Sequence, residues 1–208
     1  MNEPKAYGVF SKRKNYVFRD SAYIQWGNST RSIGSFLLLN PGSSKLSSHL
    51  NKELENTGIA CGGITLDPTM RQLTLMVCKM YNEQPQLDGR LHIYNLFSLQ
   101  NPSSEDAIEV FEELTSTGEL DINHSMITLE ELKEHPWILL GWGCMYKARW
   151  INLKQAKLNW LQLIKESGIK SFGKRNGMGD KYYHPCPQLI KDRGAMVDHL
   201  VTLYRECT

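Results

Sequence analysis

Apolar positions along this chain gather in short blocks, each ending at a polar or glycine-bearing turn. Ser35 to Leu39, Leu91 to Leu96 and Trp137 to Leu140 are blocks of this kind. Runs so short and so bounded predict buried strands. Residues 15–26 mix aromatic and β-branched side chains and predict a strand or hairpin, and Ile169 to Phe172 predicts a fourth core strand. Helical spacing fills the intervals. Asp67 suits an N-cap with Pro68 at the first helical position, and Leu73, Met76, Val77 and Met80 come next at three- and four-residue steps. Residues 104–115 predict an acidic amphipathic helix that turns Ile108, Phe111 and Leu114 or Val110 inward. Thr128-Leu129-Glu130-Glu131 is a capping-box pattern opening a short helix. A long helix is predicted over 145–167, closed by Gly168, and a C-terminal helix over about 188–205. Residues 42–66, rich in Gly, Ser and Asn, predict a long loop with a short helix near 49–55. Strands alternating with helices predict one α/β domain over residues 1–208 with a largely parallel sheet.

In such sheets ligands bind beyond the carboxyl ends of the strands. That rule brings Asn40, Asn95 and Trp142-Gly143 to one crevice although they lie far apart in sequence. Each motif alone has a plain structural explanation. Asn40-Pro41-Gly42 is an ordinary turn, Asn95 can cap the segment after its strand, and Gly141-Trp142-Gly143 can be a tight turn over a buried Trp. Asp67 fits a helix cap as well as a pocket carboxylate, and Phe97 fits a core as well as a base-stacking face.

Composition changes this picture in two places. Of 24 Lys and Arg against 22 Asp and Glu, residues 100–135 hold one base and ten acids, leaving 23 bases and 12 acids elsewhere. The remainder is basic enough to meet a polyanion; the acidic stretch reads as a solvated helix face or as a surface that repels phosphate. The five cysteines include no CxxC pair, which argues against a disulfide framework or zinc ribbon and leaves most of them as small buried hydrophobes. An iron–sulfur cluster from distant cysteines stays open, although the local spacing for one is missing. No apolar run approaches the roughly 18 residues of a membrane helix. With no signal-peptide layout at the N-terminus, the expectation is a cytoplasmic protein that does not engage membranes.

Taken in order, Leu38-Leu39-Asn40-Pro41-Gly42, Ile93-Tyr94-Asn95-Leu96-Phe97, Leu139-Leu140-Gly141-Trp142-Gly143 and His184-Pro185 resemble the motifs of the uracil-DNA glycosylase superfamily. The first looks like the Asn-Pro-Gly version of the mismatch-specific and thymine-directed branch. Asp67-Pro68-Thr69 resembles an additional segment of a poorly characterised bacterial and phage branch. The resemblance covers about residues 35–190 and departs from the family at Cys186, where a serine is usual. It implies a three-layer α/β/α sandwich, a monomer, no cofactor or metal, and DNA as partner, either duplex with a flipped base or single-stranded. It also implies catalytic roles for Asn40 in placing water and His184 in stabilising the leaving base, with Asp67 a further candidate.

Residue chemistry fits those roles. Breaking an N-glycosidic bond makes an oxocarbenium-like sugar and an anionic base, so the site must place water and stabilise negative charge. A neutral Asn orients water but is a weak base. Asn95 can read a pyrimidine edge, with Pro41, Gly42, Phe97, Trp142 and Gly143 around the base and Tyr182 and Tyr183 as further aromatic faces. A carboxylate at Asp67 accepting from an exocyclic amine would favour cytosine. Relatives strict for uracil carry Tyr where this chain has Gly42, so room is expected beside the pyrimidine C5 position. The favoured substrate is a 5-substituted pyrimidine, with glucosylated hydroxymethylcytosine in phage DNA, and hence antiviral defence, as the specific reading. Lys174, Arg175 and Lys181 in a Gly-rich loop are candidates for phosphate contact, and the same loop also reads as a solvated hairpin tip. Gln188 and Leu189 stand where relatives carry the wedge that opens the stack. Two other functions stay open: a module that binds modified DNA without cutting it, and a hydrolase of free modified nucleosides or nucleotides.

Overall fold

The computed structural model describes residues 3–42, 46–81, 87–177 and 179–207. The strands are β1 (Lys5–Arg13), β2 (Tyr16–Trp26), β3 (Ser32–Leu38), β4 (Ile59–Ile64), β5 (Gly89–Asn95), β6 (Ile138–Leu140) and β7 (Ser171–Phe172). The helices are α1 (Ser48–Thr57), α2 (Pro68–Met80), α3 (Ser104–Ser116), α4 (Leu129–Lys133), α5 (Ile151–Ser167) and α6 (Arg193–Cys207). All seven described strands join one sheet in the order β4-β1-β2-β5-β3-β6-β7. β5, β3, β6 and β7 run parallel, whereas β4, β1, β2 and β5 pair antiparallel. The fold is thus α/β with a mixed sheet, and the expected parallel arrangement holds for one half of it.

Side chains alternate across the sheet and feed two cores. Phe10, Ile24, Phe36, Leu38 and Ile93 pack with Leu54 of α1, Leu73 and Met76 of α2, and Leu200 of α6. Leu37, Ile138 and Leu140 point the other way and pack with Phe111 of α3, Leu132 of α4 and Trp160 of α5. Phe97 belongs to this second core. It is fully buried and stacks on Phe111 with ring centroids 4.6 Å apart, so it is not a wall of a base pocket.

Three expectations need correction. The predicted long loop over 42–66 contains strand β4 in addition to the expected short helix, which is α1, and β1 pairs with β2 as the other arm of a hairpin. The long helix begins at Ile151, not near 145, because Glu112 of α3 reaches across to cap it. Its carboxylate accepts from the backbone N–H groups of Asn152 and Leu153 at 3.1 and 2.7 Å, where Trp150 supplies no side-chain cap. The C-terminal helix begins at Arg193 after a short 3-10 turn over Ile190–Asp192. The acidic stretch also acquires structural roles, since Glu105 and Glu109 pair with Lys147, and Glu109 with Arg149.

Candidate functional site

The parallel strands β5, β3 and β6 end together, and a crevice of about 860 Å³ opens above them. Asn40, Pro41 and Gly42 line it from the turn after β3, Trp142 and Gly143 from the turn after β6. Asp67 enters from the start of α2, and Lys174, Tyr183, His184 and Gln188 from the segment between β7 and α6.

Local chemistry fixes each group. Asn40 donates through Nδ2 to the Asn101 carbonyl at 2.9 Å, which leaves its amide oxygen as the end available to water. Gly42 sits at φ +63°, a conformation that disfavours any side chain, and among the described residues beyond its chain neighbours no heavy atom lies within 4 Å of where a Cβ would stand. Asp67 caps α2 by accepting from Met70 N–H at 2.8 Å, so the cap and the pocket carboxylate are the same residue. Trp142 is buried and donates its indole N–H to the Asp180 carbonyl at 2.7 Å. Tyr182 is buried edge-on against Trp142, with centroids 5.0 Å apart, and does not serve as an open stacking face.

His184 is held by its own turn. Cys186 N–H points at Nδ1 from 3.2 Å, and the Cys186 carbonyl lies 3.0 Å from the same nitrogen. Nδ1 thus faces one donor and one acceptor of the Cys186 backbone, and the neutral tautomer that accepts from the amide carries its proton on Nε2. The turn is clamped from α2: the Cys186 thiol lies 3.7 Å from the Pro68 carbonyl, and Gln72 donates to the Arg193 carbonyl at 2.8 Å. Asp67-Pro68-Thr69 and His184-Pro185-Cys186 are therefore one packed unit, although they lie more than a hundred residues apart. Gly141 allows the turn this close, since a Cβ there would meet Pro185 Cδ at 2.6 Å.

Burial pushes the His184 imidazole below its ordinary value of 6.5; the Cys186 carbonyl and the Asp67 charge oppose this. The unfolded chain therefore binds more protons than the folded one between the depressed value and 6.5. The stabilisation from neutral His184 is complete above about 6.5 and is lost as pH falls through the folded pKa. An NMR titration should place His184 below 6.5, and Asp67→Asn should move it lower still, because the opposing negative charge is gone.

Asn95, Arg175 and Lys181 sit elsewhere. Asn95 lies beneath the crevice, buried, and its Oδ1 accepts from a guanidinium nitrogen of Arg19 at 3.0 Å. The group that reaches the crevice lining from there is Arg19 itself, which sequence reasoning missed. Arg175 donates through Nε to the Tyr182 hydroxyl at 3.1 Å, and Lys181 lies over the Tyr146 ring, so neither lines the crevice. Leu189 and Ile190 stand beside Gln188, exposed by 60 and 77%.

Comparisons with protein-family models, with curated proteins and with solved structures find nothing that matches the chain. Among the described residues no group of three or more His, Cys, Asp or Glu side chains is placed to hold a metal ion, and no helix is long and apolar enough to cross a membrane.

Proposed function

We propose that this protein is a DNA glycosylase of the uracil-DNA glycosylase type that hydrolyses the N-glycosidic bond of a flipped-out 5-substituted pyrimidine. The observation that carries the proposal is the meeting of Asn40, Asp67 and His184, from three distant turns, in one crevice at the strand ends. The two cores on opposite sheet faces fit the sandwich that this reading requires.

In the reaction the bond between C1′ and the base nitrogen breaks and the base leaves with the electron pair. A water held by the Asn40 amide oxygen attacks C1′ from the opposite face and gives its proton to solvent. The Nε2–H of neutral His184 donates to the oxygen on which the base's charge gathers. Gly42 leaves room beside the base for a 5-substituent. Leu189 and Ile190, apolar and exposed at the crevice rim, suit the wedge that replaces the flipped base in the stack.

Duplexes carrying single modified pyrimidines should acquire alkali-labile abasic sites when incubated with the protein. Lys174 is the phosphate contact expected to matter most, since it lines the crevice and lies over the Tyr183 ring. Lys174→Ala should weaken DNA binding for every sequence and lower the log–log salt slope by about 0.9. A slope equal to wild type would remove Lys174 from the interface.

A further inference from the structure

The segment between β7 and His184 is a hairpin whose two faces differ. Arg175 pairs with Tyr182, Tyr183 N–H donates to the Lys174 carbonyl at 2.8 Å, and Asn176 N–H donates to the Lys181 carbonyl at 2.9 Å. Side chains alternate along paired arms. Tyr182 turns inward against Trp142, and its backbone also bridges to Gly143 in the turn after β6. Lys174, Asn176, Lys181 and Tyr183 share the opposite face. The hairpin is fixed to the crevice wall, since Trp142 donates to the Asp180 carbonyl and a Cβ at Gly173 would meet the Leu140 carbonyl at 2.4 Å.

Charge on this hairpin is one-sided. Its only acid, Asp180, lies 3.7 Å from Nζ of the buried Lys157, which offsets it. Lys174, Arg175 and Lys181 form no ion pair among the described residues. Each lies over a tyrosine ring instead: Lys174 over Tyr183 at 5.4 Å, Arg175 over Tyr182 at 5.4 Å and Lys181 over Tyr146 at 5.1 Å. Exposure singles out two of these rings. Every Trp and Phe of the chain is buried, and among its Trp, Phe and Tyr side chains only Tyr146 and Tyr183 are exposed, by 65 and 38%. Both belong to the crevice mouth. Tyr183 lines the crevice, and Tyr146 follows Met145, which lines it too.

An exposed ring beside an unpaired cation complements one unit of a single strand: a base stacks on the ring and its phosphate meets the cation. A duplex offers the phosphates alone, because its bases already stack on one another. We propose that Tyr146 and Tyr183, with Lys181 and Lys174, form a platform for unpaired bases beside the target, so that the protein prefers single-stranded DNA to duplex. The inference rests on the glycosylase reading for the presence of a target base in the crevice, but the platform requires no bond cleavage.

Its test uses binding alone. Fluorescence anisotropy compares a short unmodified DNA strand with the same strand in a duplex, at one salt concentration. Wild-type protein should bind the single strand about tenfold or more tightly, the scale of one or two stacked bases. Tyr146→Ala should weaken single-strand binding about fivefold or more and leave duplex binding within about twofold, whereas Tyr146→Phe keeps the stacking face and should stay within about twofold on both. On a strand of the same length made of abasic sites, wild type and Tyr146→Ala should bind alike, because no base remains to stack. Tyr146 is exposed, so the variants should melt with wild type. Duplex bound as tightly as single strand by wild type, no loss in Tyr146→Ala, equal loss from both forms, or the same loss on the abasic strand would overturn the inference. A single-strand preference that depends on Tyr146, with no base released from any modified strand, would uphold it and remove the glycosylase assignment. Base release without that preference would do the reverse.

Discussion

Replacing His184 by alanine should lower base excision by at least about 100-fold, the size of losing one preorganised donor to a developing anion. DNA binding should change much less, because the donor acts when the base departs. Turnover should be unchanged between about pH 7 and 8 in wild type, since the imidazole is already neutral there. The alanine variant should keep its fold. His184 is anchored by contacts within its own turn, and the clamp on that turn comes from Cys186, Gln72 and the close approach of Gly141, all of which remain. Wild-type turnover in a folded His184→Ala protein would strike His184 from the catalytic list.

Phe97→Ala should destabilise the fold strongly. The ring is fully buried and stacked on Phe111, and emptying such a site costs about 3–5 kcal/mol. Chemical denaturation should show that loss as a lower midpoint with little change in slope. Below the transition, excision per folded molecule should stay within about threefold of wild type, since a core residue acts through stability rather than through the transition state. A stable Phe97→Ala protein with poor base binding would return Phe97 to the pocket.

The parts of the fold that sequence reveals are those where one physical signal dominates. Phe36 to Leu38 and Ile138 to Leu140 lie in parallel strands buried on both faces, so their apolar runs are unbroken. Asp67-Pro68 starts α2 by cap chemistry alone. β1 and β4 are hidden because half of each faces outward and glycines dilute the rest. At Gly62 a Cβ would meet only the terminal methyl of Leu50, at 2.9 Å. The start of α5 is set by Glu112, forty residues away, and no local pattern encodes that.

At the site, Asn40 and His184 are legible because each opens a short motif in a turn. Arg19 is not, because the β-bulge between β1 and β2 that aims it depends on pairing with β1. One trace of it exists. Asp20 falls in phase with Phe18, Ala22, Ile24 and Trp26, an unexpected place for an acid in a regular strand. The structure resolves the conflict by inserting a residue, so Phe18 joins one core while Ala22, Ile24 and Trp26 join the other. Asn95 shows the converse case, in which the motif marks a strand end but the side chain is buried and accepts from Arg19, and it is Arg19 that lines the crevice.

Hydrolysis of a base from DNA is tested by mass spectrometry of the released base. Wild-type protein and His184→Ala are incubated with DNAs containing cytosine, thymine, uracil or their 5-hydroxymethyl and glucosylated derivatives, and the small-molecule fraction is analysed. The account predicts a free 5-substituted pyrimidine from wild type, an equal amount of abasic DNA, and at least about 100-fold less of both from the variant. Intact DNA from every substrate, or release that does not depend on His184, would contradict it.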